Sequence, residues 1–293
     1  QGTHPLVALA GGVFELVAPQ PDAAHVECFR LFREGANATM LAKAAALDER
    51  WRAGNLSAPC VWSRRMAVVA LARGALVYAP LECSAERAAA VRALGGAKII
   101  VLPNFDKAVH LEGWLGEFPE AVVVTVSGNR MVRVLRQIPR SRMVILASGR
   151  PTPPKVQRVL RDFDIEVVDT VALEEEIVLH HRPSRILLVA DFVLFGSHRK
   201  EDPSGWPRLG SEKWTHLYYW FHLRHTLHLM PVYRMALSKK QKAAILPSLE
   251  KILGWQAERV LSAHAGKVSE AGVEWTSQLL ISSWRWCNAT RRR

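Results

Sequence analysis

Glycine-punctuated apolar segments between Arg65 and Leu102 constrain the fold more than any other part of the chain. Arg65-Met-Ala-Val-Val-Ala-Leu-Ala72 and Ala75-Leu-Val-Tyr-Ala79 flank Arg73-Gly74. This pattern predicts a β-hairpin, because glycine supplies the backbone freedom of a tight turn. Ser84 then stands where a helix N-cap would, Glu86 falls in the first turn, and Gly95-Gly96 stops the helix after Leu94. Ala97–Leu102 reads as a buried strand. A hairpin followed by helix and strand fits an α/β chain and neither an all-helical nor an all-β one.

The same logic places strands at Gly12–Ala18, Ala121–Val126, Met143–Ala147, Ile165–Val168, Glu176–His180, Ile186–Ala190 and around Val260. Helices are expected near Lys107–Glu117, Asn129–Gln137, Pro154–Asp162, Ser211–Met230, Ser238–Trp255 and Ser269–Ser282, with an Ala-rich one at Ala36–Trp51. The expected fold class is α/β: an αββα sandwich of two stacked mixed sheets with helices on the outer faces. A three-layer sandwich around one parallel sheet is the alternative. The expected organisation is a first strand within 1–22, a helical insertion at 23–63, the main domain at 64–284 and a basic tail at 285–293.

Lys and Arg number 39 against 27 acids, a net charge of +12 over 293 residues. That excess favours an anionic partner: RNA, an acidic protein or an anionic lipid surface. Arg and Lys interrupt every apolar stretch, so no transmembrane segment is expected. Cys28, Cys60, Cys83 and Cys287 have no CxxC or other zinc-like spacing and read as free thiols. The first residue is Gln1 rather than Met. With the Arg-rich composition, this raises the expectation of a mature chain on the mitochondrial matrix side, with the cytoplasm as the alternative.

Two strand ends carry the chemistry-bearing residues. Arg182-Pro-Ser-Arg-Ile-Leu-Leu-Val-Ala-Asp191 is a turn, a buried strand and a terminal aspartate; Arg259-Val-Leu-Ser-Ala-His264-Ala-Gly266 is a strand ending in histidine and glycine. With Ile100-Val-Leu-Pro-Asn104, Trp114, Phe118-Pro119 and the hairpin, these pieces in this order resemble the metallo-β-lactamase superfamily, in a poorly characterised branch with degenerate ligand motifs. The resemblance spans about Gly12 to Trp284. It implies one or two zinc or iron ions held by an HxHxDH loop, a later His, a strand-end Asp and a final His. Imidazoles and a carboxylate grip the ion, and an open position lowers the pKa of a bound water.

Under the resemblance Asp191 matches the strand-end Asp and His264 the final His. Asn104 stands for the first His of the loop, Asp106 is a candidate for the next ligand, and His110 is present but displaced. Lys107 and Ala108 fall where the branch shows a pair of histidines, and an ammonium repels a divalent cation. The remaining ligand loop, near Val171-Ala-Leu173, offers no donor. A structural reading competes: Asp191 closes a strand end by accepting backbone N–H groups, and His264 hydrogen-bonds to it.

No catalytic residue and no bound metal or other cofactor is therefore expected. Asn104, Asp106, His110, Asp191 and His264 form a vestigial site. The expected role is that of a catalytically inactive structural or accessory subunit of a large assembly, respiratory or ribosomal. Other protein subunits would be its partners. Residues 211–230 are a candidate docking helix with His222, His225 and His228 at i, i+3, i+6 and several aromatics. One alternative is a metal-dependent hydrolase with zinc or iron on Asp106, His110, Asp191 and His264. The other is a basic RNA-binding protein, using Lys239-Lys240-Gln-Lys242 and Arg291-Arg292-Arg293 on phosphates. Ser127-Gly128 and Ser148-Gly149 read as turns; there is no GxGxxG or GxSxG.

Overall fold

The computed structural model describes residues 7–10, 12–18, 64–104, 107–108, 110–127, 135–136, 138–169, 175–190, 193–194, 228–229 and 239–263. The first sheet follows chain order: β1 (Val7–Ala10), β2 (Val13–Ala18), β3 (Arg64–Leu71), β4 (Gly74–Tyr78), β5 (Ala97–Leu102), β6 (Val122–Val126) and β7 (Met143–Leu146). β1 adds a hairpin partner to the expected first strand, and β2 pairs with β3 over Val13↔Val69 to Ala18↔Arg64.

β1 through β4 are antiparallel neighbours, whereas β4 through β7 are parallel. The switch follows from the connections. Leu71 pairs with Gly74 across a tight turn, which only an antiparallel pair allows. Between β4 and β5 runs helix α1 (Ala85–Ala93), and between β5 and β6 helix α2 (Leu111–Glu117), which supply the crossovers that parallel strands need. Ser84 Oγ caps α1 by accepting from Arg87 N at 3.3 Å. At the other end Gly95 N donates to Arg92 O and Gly96 N to Val91 O, with Gly95 at φ 92°, the paired bonds of a Schellman ending.

Helix α3 (Pro154–Val159) leads from β7 into the second sheet, which holds β8 (Phe163–Asp169), β9 (Glu175–His181) and β10 (Ile186–Val189). β11 (Val193–Leu194) and β12 (His228–Leu229) form a separate two-stranded ladder. Helix α4 (Lys239–Gly254) packs on β8, and β13 (Arg259–Ser262) completes the second sheet in the order β13-β10-β9-β8.

Alternation along the strands separates two cores. Ala67, Val69, Leu76, Tyr78, Ile99 and Val101 meet Phe163, Val167, Ile177, Leu179 and Leu188 between the sheets. Met66, Val68, Val77, Ile100, Leu102 and Val123 face the other way onto Ala88 and Val91 of α1 and Leu111 and Trp114 of α2. Trp114 is fully buried and its indole N–H donates to Leu81 O at 2.6 Å, satisfying its one polar atom. The αββα sandwich is thus the observed architecture.

Two expected helices differ. The one set at Lys107–Glu117 begins at Leu111, because Lys107 N and Leu111 N close turns onto Asn104 O and Ala108 O first. The one set at Ser211–Met230 does not run to its end, since His228 and Leu229 pair with Leu194 and Val193. Pro231 follows Met230, and a residue before proline is pushed out of helical backbone. His228 therefore lies in a strand, which removes it from the proposed i, i+3, i+6 helical set. The remainder of 211–230, the insertion at 23–63, most of 129–137, 269–282 and the tail lie outside the described residues.

Gly74 is the tightest backbone position. Its φ is 94°, and a Cβ there would sit 2.5 Å from Lys98 Cγ and 2.7 Å from Gly96 O. Gly74→Ala is expected to destabilise the fold by about 1–3 kcal/mol, the usual cost of a strained non-glycine backbone. A lower midpoint in urea unfolding checks this.

Candidate functional site

β5 ends in Leu102-Pro103-Asn104, and the chain turns there instead of continuing the strand. Asn104 is buried at 2% exposure, and Lys107, one turn later, is buried at 5%. His110 immediately precedes α2, is half-buried and makes no side-chain cap hydrogen bond. Asp106 lies outside the described residues.

The parallel pair β10 and β13 runs in register from Ile186↔Arg259 to Val189↔Ser262. The next residues, Ala190 and Ala263, are both buried, and Ala263 N donates to Val189 O at 2.9 Å. The two strands that precede Asp191 and His264 in sequence thus end side by side, a neighbourhood the sequence left open. Asp191 and His264 themselves lie outside the described residues.

A residue without a role in the sequence reading joins these ends. Glu176, near the start of β9, is 1% exposed. One carboxylate oxygen accepts from Ala190 N at 2.8 Å, and the other accepts from Asn104 Nδ2 at a long 3.5 Å. Around it, Ile177 N donates to Pro103 O at 2.9 Å, Tyr78 Oη to Ile177 O at 2.8 Å and Ser262 Oγ to Ala190 O at 3.2 Å. Glu175, one residue earlier, accepts from Ser127 Oγ and Ser148 N, each at 2.6 Å. The serines read as turn residues therefore tie β6 and β7 to β9. The ends of both sheets are laced together by two adjacent glutamates.

Of the five candidate residues, Asn104 and His110 are described. The Asn104 amide nitrogen is directed at Glu176, whose two carboxylate oxygens both accept N–H groups, and the ammonium-bearing Lys107 is buried one turn away. Among the described residues no three His, Cys, Asp or Glu side chains are grouped to hold a metal.

A second polar cluster lies at the far end of the same sheet. His180 Nδ1 meets Asp164 Oδ2 at 2.9 Å, Arg182 Nη1 donates to Asp164 Oδ1 at 2.7 Å, and the His180 ring stacks on Trp255 at 5.9 Å. His181 Nδ1 meets Ser184 Oγ at 2.8 Å, and its ring lies 4.8 Å from Phe163. Burial pushes both imidazoles below the ordinary histidine range. For His180 the Asp164 hydrogen bond and charge oppose this, while Arg182 and Arg185 add to it. For His181, Asp162 opposes it while His180 and Arg182 add to it. Cys83, half-buried and free, is pushed up to about 11 by burial and then by Glu117, so it stays a thiol at neutral pH.

No protein-family profile matches the chain, and no curated protein matches its sequence. Solved structures similar to it include a metallo-β-lactamase from Pontibacter korlensis, at 10% identity and TM-score 0.47, covering 95% of this chain and 99% of that one. Another is the metallo-β-lactamase from Hirschia baltica, at 10% identity and TM-score 0.47, with 98% of each chain covered. The flavodiiron core of Flv1 from Synechocystis is similar at 14% identity and TM-score 0.44; the match covers 78% of this chain and 53% of that one. The two mixed sheets with helices outside form an αββα sandwich. No helix among the described residues is long and apolar enough to cross a membrane.

Glu176→Ala removes a buried acceptor from the Ala190 N–H and is expected to cost about 2–4 kcal/mol, with Glu176→Gln milder because one acceptor remains. Paired urea titrations order the two variants.

The two imidazoles also set a pH dependence. Their folded pKa values are depressed, so the unfolded chain binds more protons below its own histidine value of about 6.5, and stability falls as pH drops through that point toward the folded values. Unfolding midpoints at stepped pH should show this slope, and His180→Gln should flatten it.

Proposed function

We propose that this chain is a catalytically inactive metallo-β-lactamase-like protein that serves as a structural or accessory subunit of a larger assembly. The observation that supports this most is Glu176. A carboxylate that accepts the Ala190 N–H and the Asn104 amide joins the strand ends by hydrogen bonds at the place where the superfamily would place its ions. In this reading the lattice of N–H donors around Glu175 and Glu176 does the mechanical work of a metal: it fixes the ends of β5, β9 and β10 relative to one another. Lys107 adds a buried positive charge one turn from Asn104, which disfavours a cation nearby.

What such a subunit contributes is surface. The net charge of +12 suits docking on acidic partners, and a mitochondrial assembly, respiratory or ribosomal, is the setting we favour. Any role of 211–230 in docking belongs to the same proposal.

The test is elemental analysis of the purified full chain after incubation with zinc or iron(II) and removal of loosely held ion. The reading expects far less than one equivalent of either metal. A near-stoichiometric ion that is lost together with hydrolytic activity in Glu176→Ala or His110→Ala would overturn it.

A further inference from the structure

On the side of the second sheet where β8 is the last strand among the described residues, a groove of about 710 Å³ runs between α3 and α4. Its floor is β8. One wall carries Arg150, Gln157 and Arg161, and the other carries Pro247 and Lys251 on α4 and Trp255 just past its end. We propose that this groove binds an extended acidic segment of a partner protein, laid along β8 as an added strand. The inference rests on the accessory-subunit reading, because it gives that subunit's partner a chemistry.

Charge is the first argument. Four cations line the groove, Arg150, Arg161, Arg182 and Lys251, against two carboxylates, Asp164 and Glu166. Both carboxylates already have a cation: Arg182 on Asp164 at 2.7 Å and Lys251 on Glu166 at 2.6 Å, with Ser248 Oγ donating to Glu166 at 2.6 Å. Arg161 is 72% exposed and only 3.8 Å from Asp162, which does not line the groove. Arg150 is exposed and makes no ion pair among the described residues. The α3 wall therefore carries a positive excess that an acidic ligand would balance.

The backbone is the second argument. In an antiparallel pair, opposite residues either exchange both hydrogen bonds or point both sets away from each other. Ile177 is opposite Val167, and its N–H goes to Pro103 O, away from β8. Val167 therefore turns its own N–H and C=O toward the groove, and Ile165 shares that parity. Lys251 Nζ, which donates to Ile165 O at 3.3 Å, marks the same side. A lysine on an edge strand discourages indiscriminate pairing. An acidic strand turns that guard into an attraction, since Lys251 is half-exposed and can move to a ligand carboxylate.

The aromatic residues argue against nucleic acid. Single strands are held by bases stacked on free aromatic faces. The two aromatic residues of this groove are engaged elsewhere: Phe163 with the His181 ring at 4.8 Å, and Trp255 with His180 at 5.9 Å.

The experiment uses the full chain and a fluorescent peptide of alternating glutamate and valine, about ten residues long to span β8. Anisotropy should show binding that weakens as salt is added. Arg150→Glu with Arg161→Glu should weaken it at least about tenfold. Arg73→Glu with Lys98→Glu, a matched reversal at the opposite end of the first sheet, should leave it unchanged. All four side chains are exposed, so melting curves report that the variants fold. Hydrogen exchange should slow across β8 on binding and not across β7. The proposal fails if a lysine–valine peptide binds equally well, if the groove reversal leaves affinity unaltered, or if β8 exchange does not slow. It also fails if a single-stranded RNA oligomer is held through Arg150 and Arg161 while the acidic peptide is not. Metal content tests the inactive-scaffold reading separately, so either can fail without the other.

Discussion

Burial on both faces of β4, β5 and β6 is the constraint from which the rest of the molecule follows. Their burial is nearly continuous, and successive side chains feed opposite cores. A strand that is apolar on both sides must lie between two layers. The helices α1 and α2 supply one layer, and the second sheet must supply the other. Sheet-on-sheet packing in turn brings the ends of β5, β9 and β10 close together, and there the polar groups of the fold accumulate. Carbonyls and N–H groups that leave a strand inside such a sandwich need partners. Glu175, Glu176, Ser127 and Ser262 provide them.

At those strand ends carboxylate oxygens are aimed at N–H groups. Glu176 is well placed for this because it sits where β9 outruns β10. Its side chain reaches the first backbone N–H after β10, and Ile177 N finds Pro103 O across the sheets.

Much of the strand content was legible because it rests on local rules. Continuous apolar runs, Gly95-Gly96 and the Ser84 cap mark β4, α1 and β5 almost to the residue. The candidate site was legible only in part. Asn104 at the end of β5 could be read from the chain, whereas the adjacency of β10 and β13 could not. Glu176 could not, because it follows Glu174 and Glu175, and an acidic run at a strand start looks like a solvated edge. Nor did the sequence reveal that Lys107 is buried. The pairing of His228–Leu229 with Val193–Leu194 was equally hidden, since about thirty intervening residues separate partners whose meeting no local pattern encodes.

By itself the sequence determined most of the central strands and the helix α1, and marked β5 as buried, because backbone preference and apolar patterning act over a few residues. Only the tertiary structure decided which strands share a sheet, that β8 becomes an edge beside a basic groove, and that two consecutive glutamates knit the sandwich shut. Those outcomes depend on which distant groups come within hydrogen-bonding reach, and that is fixed by packing two cores at once.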